Sequence, residues 1–585
     1  MEVDVETPDE SRASLEGRGL LSRLQERKAG LVTRVEPFVS LAADRYDRAA
    51  VWVETARDRL RLPASQDVTP DGGDRRLEDR KFLWRTALVG FVALSVVAAG
   101  CSLPSSPFKL EMPGTWFFGV PPNTAISQAP SQLMVLFGLV AVYGGLVLLM
   151  RVWYGLVKYL AQRPGIPVKY LSWMFVLWVI PMLVVPPIFS RDVFSYAAQG
   201  EMVSRHINPY TYGPFTLGSG PYVSPVDKLW GNTPAPYGPL FLIIDGFFAT
   251  ASLHNMLVTV VLLRLLELGG VVLIAWCIPK LARAYGHDGA ATFSLAVLNP
   301  LVLLTLIGGA HNDAIMAGLL VAGITAAKLR RPVLGIIICS MAAAIKVPAA
   351  LGIVYIGWSW LGSGIPIRRR VRPVITAGLI SGAVMLAFTV LSGLGLGWIG
   401  NLATPGTVRS WLAPPTGIGM ALTGVAHAIG IGISQGAVLS FTRVVGLMAA
   451  AGISVYLLKE SDRIGSLKAL GSSLLIFVVL APVVQPWYLT WGLILLAPVA
   501  TRRIRNLIVV LSMMSPFIGL PGGRILLDEL IHANPLAVAA SLVVLLGVFL
   551  APLGRWSRSW KVAELGESMN YASALSVGSE VEPSA

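Results

Sequence analysis

Apolar runs of nearly membrane-spanning length recur along this chain from residue 82 to residue 552. Inside hydrocarbon every backbone N–H and C=O must be satisfied within the protein, so helices are the natural outcome. The runs lie near 82–103, 131–152, 171–189, 256–278, 291–309 and 314–328, then 332–345, 348–361 and 373–398. Further runs fall near 437–458, 469–483, 487–500, 506–520 and 535–552. Hydrophobic residues make up 54% of the chain and charged ones only 14%, where a soluble chain carries roughly a quarter. Several later runs are short for a hydrocarbon core of about 30 Å, so the expectation is an all-α polytopic membrane protein with about 12–14 transmembrane helices.

The net charge of +14 does not point to nucleic acid, because the basic residues gather in short loops between apolar runs. With the N-terminus inside, the inner loops carry Arg151, Lys158, Arg163 and Lys169, then Lys280 and Arg283, then Lys328, Arg330 and Arg331. Arg368–Arg370 and Arg372, Lys459, Arg463 and Lys468, Arg502, Arg503 and Arg505, and the tail Arg555, Arg558 and Lys561 follow on the same side. This is the positive-inside pattern of a multi-pass plasma-membrane protein with cytoplasmic termini. It requires the Gly-rich stretch 416–433 to stay on the outer side without crossing.

Residues 1–81 are charged and partly helical in pattern, with linker composition near 63–74, and are expected to form a cytoplasmic extension. Residues 82–556 form the membrane domain and 557–585 a cytoplasmic tail. No cleavable signal is expected; the first run acts as a signal-anchor. Cys101, Cys277 and Cys339 lie in or at the ends of apolar runs without metal-ligand spacing, so neither a disulfide framework nor a metal site is expected.

The same alternation sends the unusual polar residues to the outer face. There the run 171–189 opens into Ser190-Arg191-Asp192-Val193-Phe194-Ser195-Tyr196 and a loop, 190–255, rich in Tyr, Pro and Asn. His311-Asn312-Asp313, Lys346, Arg409, Gln485-Pro486-Trp487-Tyr488 and Arg524 join it. Charges at a bilayer boundary are costly, and their convergence on one face points to an extracytoplasmic site. If 190–204 is helical, Asp192, Tyr196 and Gln199 share one face; the carboxylate can take a proton from a sugar hydroxyl while the others bind neighbouring hydroxyls. The bland alternative, a charged span end in the headgroup zone, weighs about equally on position alone. Asn208, Tyr210 and Tyr237 suit carbohydrate, ring faces on sugar C–H surfaces and amides on hydroxyls, though an interfacial aromatic belt uses the same residue types. His311, Asn312 and Asp313 can bind substrate but are too few for a metal site. Lys346, Arg409 and Arg524 are candidates to meet a phosphate, and which of the three does so stays open. No nucleotide-binding or dinucleotide motif is present, which leaves ATP-driven transport and dinucleotide chemistry without support.

The segment Ser190–Gly200, with Asn208-Pro209-Tyr210, Gly309-Ala310-His311-Asn312-Asp313 and Gln485-Pro486-Trp487-Tyr488, resembles the actinobacterial MptA/MptB-type α-(1→6)-mannosyltransferases over roughly residues 82–556. The resemblance implies a GT-C fold and a polyprenyl-phosphate mannose donor, with a mannan or lipomannan glycolipid as acceptor. It also implies Asp192 as the base, inversion to an α-(1→6) bond, substrate contacts from the outer-face residues, and no cofactor. GT-C enzymes usually carry this loop after their first span, whereas here it follows the third. A GT-C transferase of another polyprenyl-phosphate sugar, such as arabinose, is the nearest alternative. A polysaccharide or lipid-carrier transporter is the next, and it should show internal repeats and broken helices.

Overall fold

The computed structural model describes residues 72–103, Trp116 and 132–517. Of the extension expected over residues 1–81, residues 1–71 lie outside the described residues, as do the run 535–552, the tail 557–585 and Arg524, while residues 72–81 belong to the first helix rather than to a separate extension. The chain divides into two units, Met1–Arg80 and Lys81–Ala585, and the helices from residue 81 onward belong to the second. Among the described residues its regular secondary structure is all helical, without strands.

The helices follow the apolar runs closely. They are α1 Gly72–Ser102, α2 Gln132–Gln162, α3 Val168–Val184, α4 Asp192–Ser204, α5 Pro239–Ala251, α6 Met256–Ala284 and α7 Gly289–Ala296. After a π-helical turn at Val302–Gly308 come α8 Asp313–Lys328, α9 Pro332–Ile345, α10 Ala350–Ser359 and α11 Ile367–Ser392. The last are α12 Pro414–Ala428, α13 Gln435–Lys459, α14 Ser466–Leu480, α15 Thr490–Leu496 and α16 Arg502–Met514. Among the described residues five helical stretches are long and apolar enough to cross a membrane: Arg76–Ser102, Phe137–Gln162, Met256–Ala284, Ile367–Ser392 and Gln435–Lys459. Six shorter apolar helices accompany them. The chain is an all-α polytopic membrane protein, and faces such as Leu379, Leu386 and Val390 on α11, or Phe441, Val444 and Met448 on α13, stay exposed for lipid.

Two expectations need revision. The run 291–309 is not one continuous helix. Pro300 has no N–H to continue α7, and Asn299 turns the chain: its Oδ1 accepts from Leu301 N at 2.9 Å while its Nδ2 donates to Leu295 O at 3.0 Å and Ser512 Oγ at 2.7 Å. The π-helical turn that follows meets α8 at a bend of 114°. The loop 190–255, in turn, is not polar throughout. It contains α4 and the apolar α5, which starts at Pro239 in the first helical position, where a missing N–H costs nothing.

Helices α6 and α8 approach through glycines, the small-residue contact that membrane helices favour. A Cβ on Gly318 would lie 2.5 Å from Gly270 O, whereas one on Gly269 would meet nothing within 4 Å. Tryptophans fasten the other layer: Trp153 Nε1 donates to Ser294 O at 2.8 Å and Trp178 Nε1 to Ala87 O at 2.9 Å, both buried. Gly318→Leu should therefore destabilise the detergent-solubilised protein by about 1–3 kcal/mol of overpacking. Gly269→Ala should leave the thermal midpoint almost unchanged; equal midpoints for the two variants would show that this contact does not hold the bundle.

Candidate active site

Four interruptions of helical backbone bring the polar residues together. The first, residues 185–191, follows α3 and includes Pro186-Pro187. Within it Phe189 has φ 63°, a left-handed value uncommon for a residue other than glycine. Asp192 then begins α4, its backbone N–H donating to Ser190 Oγ at 3.2 Å. The second is the 309–312 break, where Ala310 at φ 52° turns the chain so that His311, Asn312 and Asp313 open α8. The third is at Lys346, which ends α9 in extended conformation two residues before Pro348. The fourth, at 481–485, delivers Trp487 and Tyr488 on a short turn that leads into α15.

At their meeting point His311 Nε2 lies 3.7 Å from Asp192 Oδ2. His311 Nδ1 donates to Thr305 O at 2.7 Å, and its ring stacks on Trp487 with centroids 3.8 Å apart. With Nδ1 committed as a donor, only Nε2 is left to carry or release a proton toward Asp192. Asp313, fully buried, is saturated: Lys346 Nζ donates to both its oxygens at 2.9 Å, and Trp491 Nε1 donates to Oδ1 at 2.6 Å. Lys346 Nζ also reaches Asn312 Oδ1 at 3.4 Å. It lies 4.6 Å from the ring centroid of Tyr488, 5.5 Å from that of Trp491 and 5.9 Å from that of Tyr237, distances at which ring faces attract a cation. Tyr237 reaches this place because Gly238 N donates to Ile345 O at 3.0 Å, and a Cβ on Gly238 would sit 2.2 Å from Ala344 O.

The carboxylate of Asp192 has a different environment from that of Asp313. Its side chain is 19% exposed and no hydrogen bond engages it among the described residues. Burial pushes its carboxyl above the usual range, while the charges of His311 and Lys346 pull it back. Burial and the Asp192 charge together hold the Tyr237 phenol well above its ordinary value, so it stays protonated. Buried atoms without partners also face this region: His311 Nε2 and Asn312 Nδ2.

Other expected residues are placed elsewhere or one layer out. Tyr196 is buried edge-on against Tyr237 and Phe241, centroids 5.2 Å from each, and supports Tyr237 from behind. Gln199 is buried two turns along α4. Asn208 Nδ2 donates to Leu394 O at 3.1 Å and Tyr210 Oη to Tyr237 O at 3.0 Å, so both tie the loop down. Arg191 sits at the N-cap of α4, and Gln485 at that of the Trp487 turn. Arg409 is exposed and donates to Gln435 Oε1 at 2.9 Å, apart from the Asp192 cluster. Trp491 was not anticipated, although the pair Trp487-Tyr488 three residues before it was the available signal. Nor were Arg264 and Glu267, two charges inside the apolar run of α6, which stand against the expectation that the unusual polar residues collect at one face. Among the described residues no group of three or more His, Cys, Asp or Glu side chains is placed to hold a metal ion.

Comparison with known proteins bears on this arrangement. A family model described as the α-(1→6)-mannopyranosyltransferase N-terminal domain matches residues 88–362, and one described as the MptB C-terminal domain matches residues 415–550. The chain is 34% identical over 503 residues to a probable α-(1→6)-mannopyranosyltransferase of Mycolicibacterium smegmatis, covering 79% of this chain and 88% of that one. It is 37% identical over 342 residues to α-(1→6)-mannopyranosyltransferase A of Mycobacterium tuberculosis, covering 56% and 65%. It is 30% identical over 481 residues to α-(1→6)-mannopyranosyltransferase B of Corynebacterium glutamicum, covering 76% and 78%. No solved structure matches. A broken helix is a feature expected of a transporter, but these relatives are named as glycosyltransferases. The chain belongs to the MptA/MptB family of membrane α-(1→6)-mannopyranosyltransferases.

Proposed function

We propose that this chain transfers mannose from polyprenyl-phosphate mannose to a mannan or lipomannan acceptor at the extracytoplasmic face of the plasma membrane, with Asp192 as the base. The observation that carries the reading is the contrast between two neighbouring carboxylates. Asp313 is saturated by Lys346 and Trp491, while Asp192 is partly open and bound by no hydrogen bond among the described residues. A base needs a free lone pair within reach of the acceptor, and of the two carboxylates only Asp192 has both oxygens free of hydrogen bonds among the described residues. The relatives' names supply the α-(1→6) linkage and the mannosyl group.

In the proposed reaction Asp192 takes the proton from the acceptor's primary hydroxyl as that oxygen attacks the anomeric carbon. The C–O bond to phosphate breaks on the opposite face, its electron pair leaves on the phosphate oxygen, and the β-linked donor gives an α product. Of the three phosphate candidates Lys346 is the one within the cluster. Its bond to Asp313 fixes it in place, and the ring faces around it shield its charge from water, which strengthens its attraction for a departing phosphate. His311 Nε2, 3.7 Å from Asp192, is placed to share the abstracted proton. The outward placement of the site rests on the positive-inside pattern.

Membranes containing Asp192→Asn should lose about 10²–10⁴-fold in transfer from radiolabelled polyprenyl phosphomannose to an α-(1→6)-dimannoside while protein accumulation is unchanged. Undiminished transfer would remove Asp192 as base, and transfer only from polyprenyl phosphoarabinose would change the donor. Because a base must be ionised, kcat/KM should rise with pH through the Asp192 pKa, which burial sets above the ordinary carboxylate range. Lys346→Met removes a charge that lowers that pKa, so the acidic limb should move to higher pH. A limb that stays in place would show that Asp192 does not control it.

A further inference from the structure

We infer that Arg264 and Glu267, one turn apart on α6, are positioning residues that hold the two breaks carrying Asp192 and His311 in register; the inference rests on the reading of Asp192 as base. Both side chains are buried within the first half of an apolar helix long enough to cross a membrane, where an ionisable group is costly unless it serves something. Among the described residues no carboxylate pairs with Arg264 and no cation hydrogen-bonds Glu267. Each instead binds backbone where helical hydrogen bonding is interrupted.

Arg264 Nη1 donates to Leu183 O at 3.2 Å and to Val185 O, the carbonyls at the end of α3, seven residues before Asp192 in the second case. Arg264 Nη2 donates to Gly308 O at 2.7 Å, three residues before His311. Ile188 N donates to the same carbonyl at 3.0 Å, so one oxygen joins the two breaks. The indole of Trp116 lies over the guanidinium at 5.7 Å and its Nε1 donates to Val184 O at 2.7 Å, closing that side. On the other side of the bend Glu267 Oε2 accepts from Ile315 N at 3.0 Å, one of the N–H groups that a restarting helix leaves without an intrahelical partner. At a spacing of i and i+3 the two share a face of α6. The guanidinium takes the carbonyl end of the broken segment and the carboxyl takes the amide start.

Both chain paths then pass through a left-handed residue immediately before the site, Phe189 ahead of Ser190 and Ala310 ahead of His311. Such conformations persist only where the surroundings impose them. The planar fork of Arg264 spans carbonyls on both paths at once, a geometry that a lysine ammonium does not reproduce. Relaxation of either path changes the separation of Asp192 and His311, and displacements near 1 Å at a reacting group cost about 10²-fold in rate.

The test uses the full chain, with radiolabelled polyprenyl phosphomannose and the dimannoside as substrates. Arg264→Lys should accumulate normally and lose about 10²-fold in kcat while KM for donor and acceptor stays within about threefold. Glu267→Gln keeps an acceptor oxygen for Ile315 N and should retain kcat, whereas Glu267→Met should lose it. Combined with Asp192→Asn, Arg264→Lys should cost nothing further, because a misplaced base and an absent base are the same defect. Full kcat in Arg264→Lys, a loss confined to KM, or losses that multiply in the double variant would each overturn the inference. Should Arg264→Lys fail to accumulate, equal kcat in Glu267→Gln and Glu267→Met overturns it. Full activity of Asp192→Asn defeats the base reading separately, and the Arg264→Lys kcat then decides the inference alone.

Discussion

The carbonyl of Gly308 is the point on which the arrangement depends. It ends a π-helical turn at the bend of a broken helix, and it accepts from both Arg264 Nη2 and Ile188 N. In a membrane protein such a break persists only if its freed groups find partners within the protein. Left-handed φ at Phe189 and Ala310 costs about 1–3 kcal/mol each. A hydrogen bond to a charged group contributes about 1.5–3 kcal/mol net, and Arg264 donates three to backbone carbonyls. The charge-assisted bonds are thus of the size required to hold both strained turns. Three neutral partners at about 1 kcal/mol each would match only the lower part of that cost.

Two acids at one site acquire different roles through their partners. Asp313 receives three hydrogen bonds, and removing Lys346 or Trp491 would strand a buried charge. Asp192, at the N-terminus of α4, gains from the helix dipole and from nearby His311 and Lys346 but spends no lone pair on them. Saturation makes Asp313 a holder of Lys346 and Trp491. The open coordination of Asp192 leaves it able to meet a substrate proton.

Hydropathy locates most of the helices, because helices built to cross hydrocarbon have little freedom over where they begin and end, but α4, α5 and α12 lie outside every apolar run. It fails where local chemistry defeats the average. Asn299-Pro300 breaks a run that is apolar throughout, and α5 is hidden in a loop whose flanks are polar. The candidate site was legible in part, since charged and amide residues at span ends are conspicuous: Asp192, His311, Asn312, Asp313, Lys346, Trp487 and Tyr488 do come together. Their pairing was not legible. Lys346 and Asp313 are thirty-three residues apart and meet only through the packing of α8 against α9. Arg264 and Glu267 escaped for a different reason: a window of about 19 residues averages two charges of opposite sign into an apolar helix.

Where the site lies follows from where helices stop. Residues 185–191, 309–312, 346 and 481–485 interrupt the helices, and each contains or adjoins a proline or a left-handed residue: Pro186 and Pro187, Ala310, Pro348, Pro482 and Pro486. A stop frees carbonyls and amides that a bilayer cannot satisfy, so stops are stable only when gathered where protein covers them. Gathering four of them also gathers the side chains at their ends, which no longer point outward along a helix into lipid. Asp192, His311, Lys346 and Trp487 each fall within a few residues of a stop for this reason. The need to satisfy broken backbone and the need to concentrate polar chemistry therefore select the same location, and Arg264 and Glu267 of α6 lie beside it.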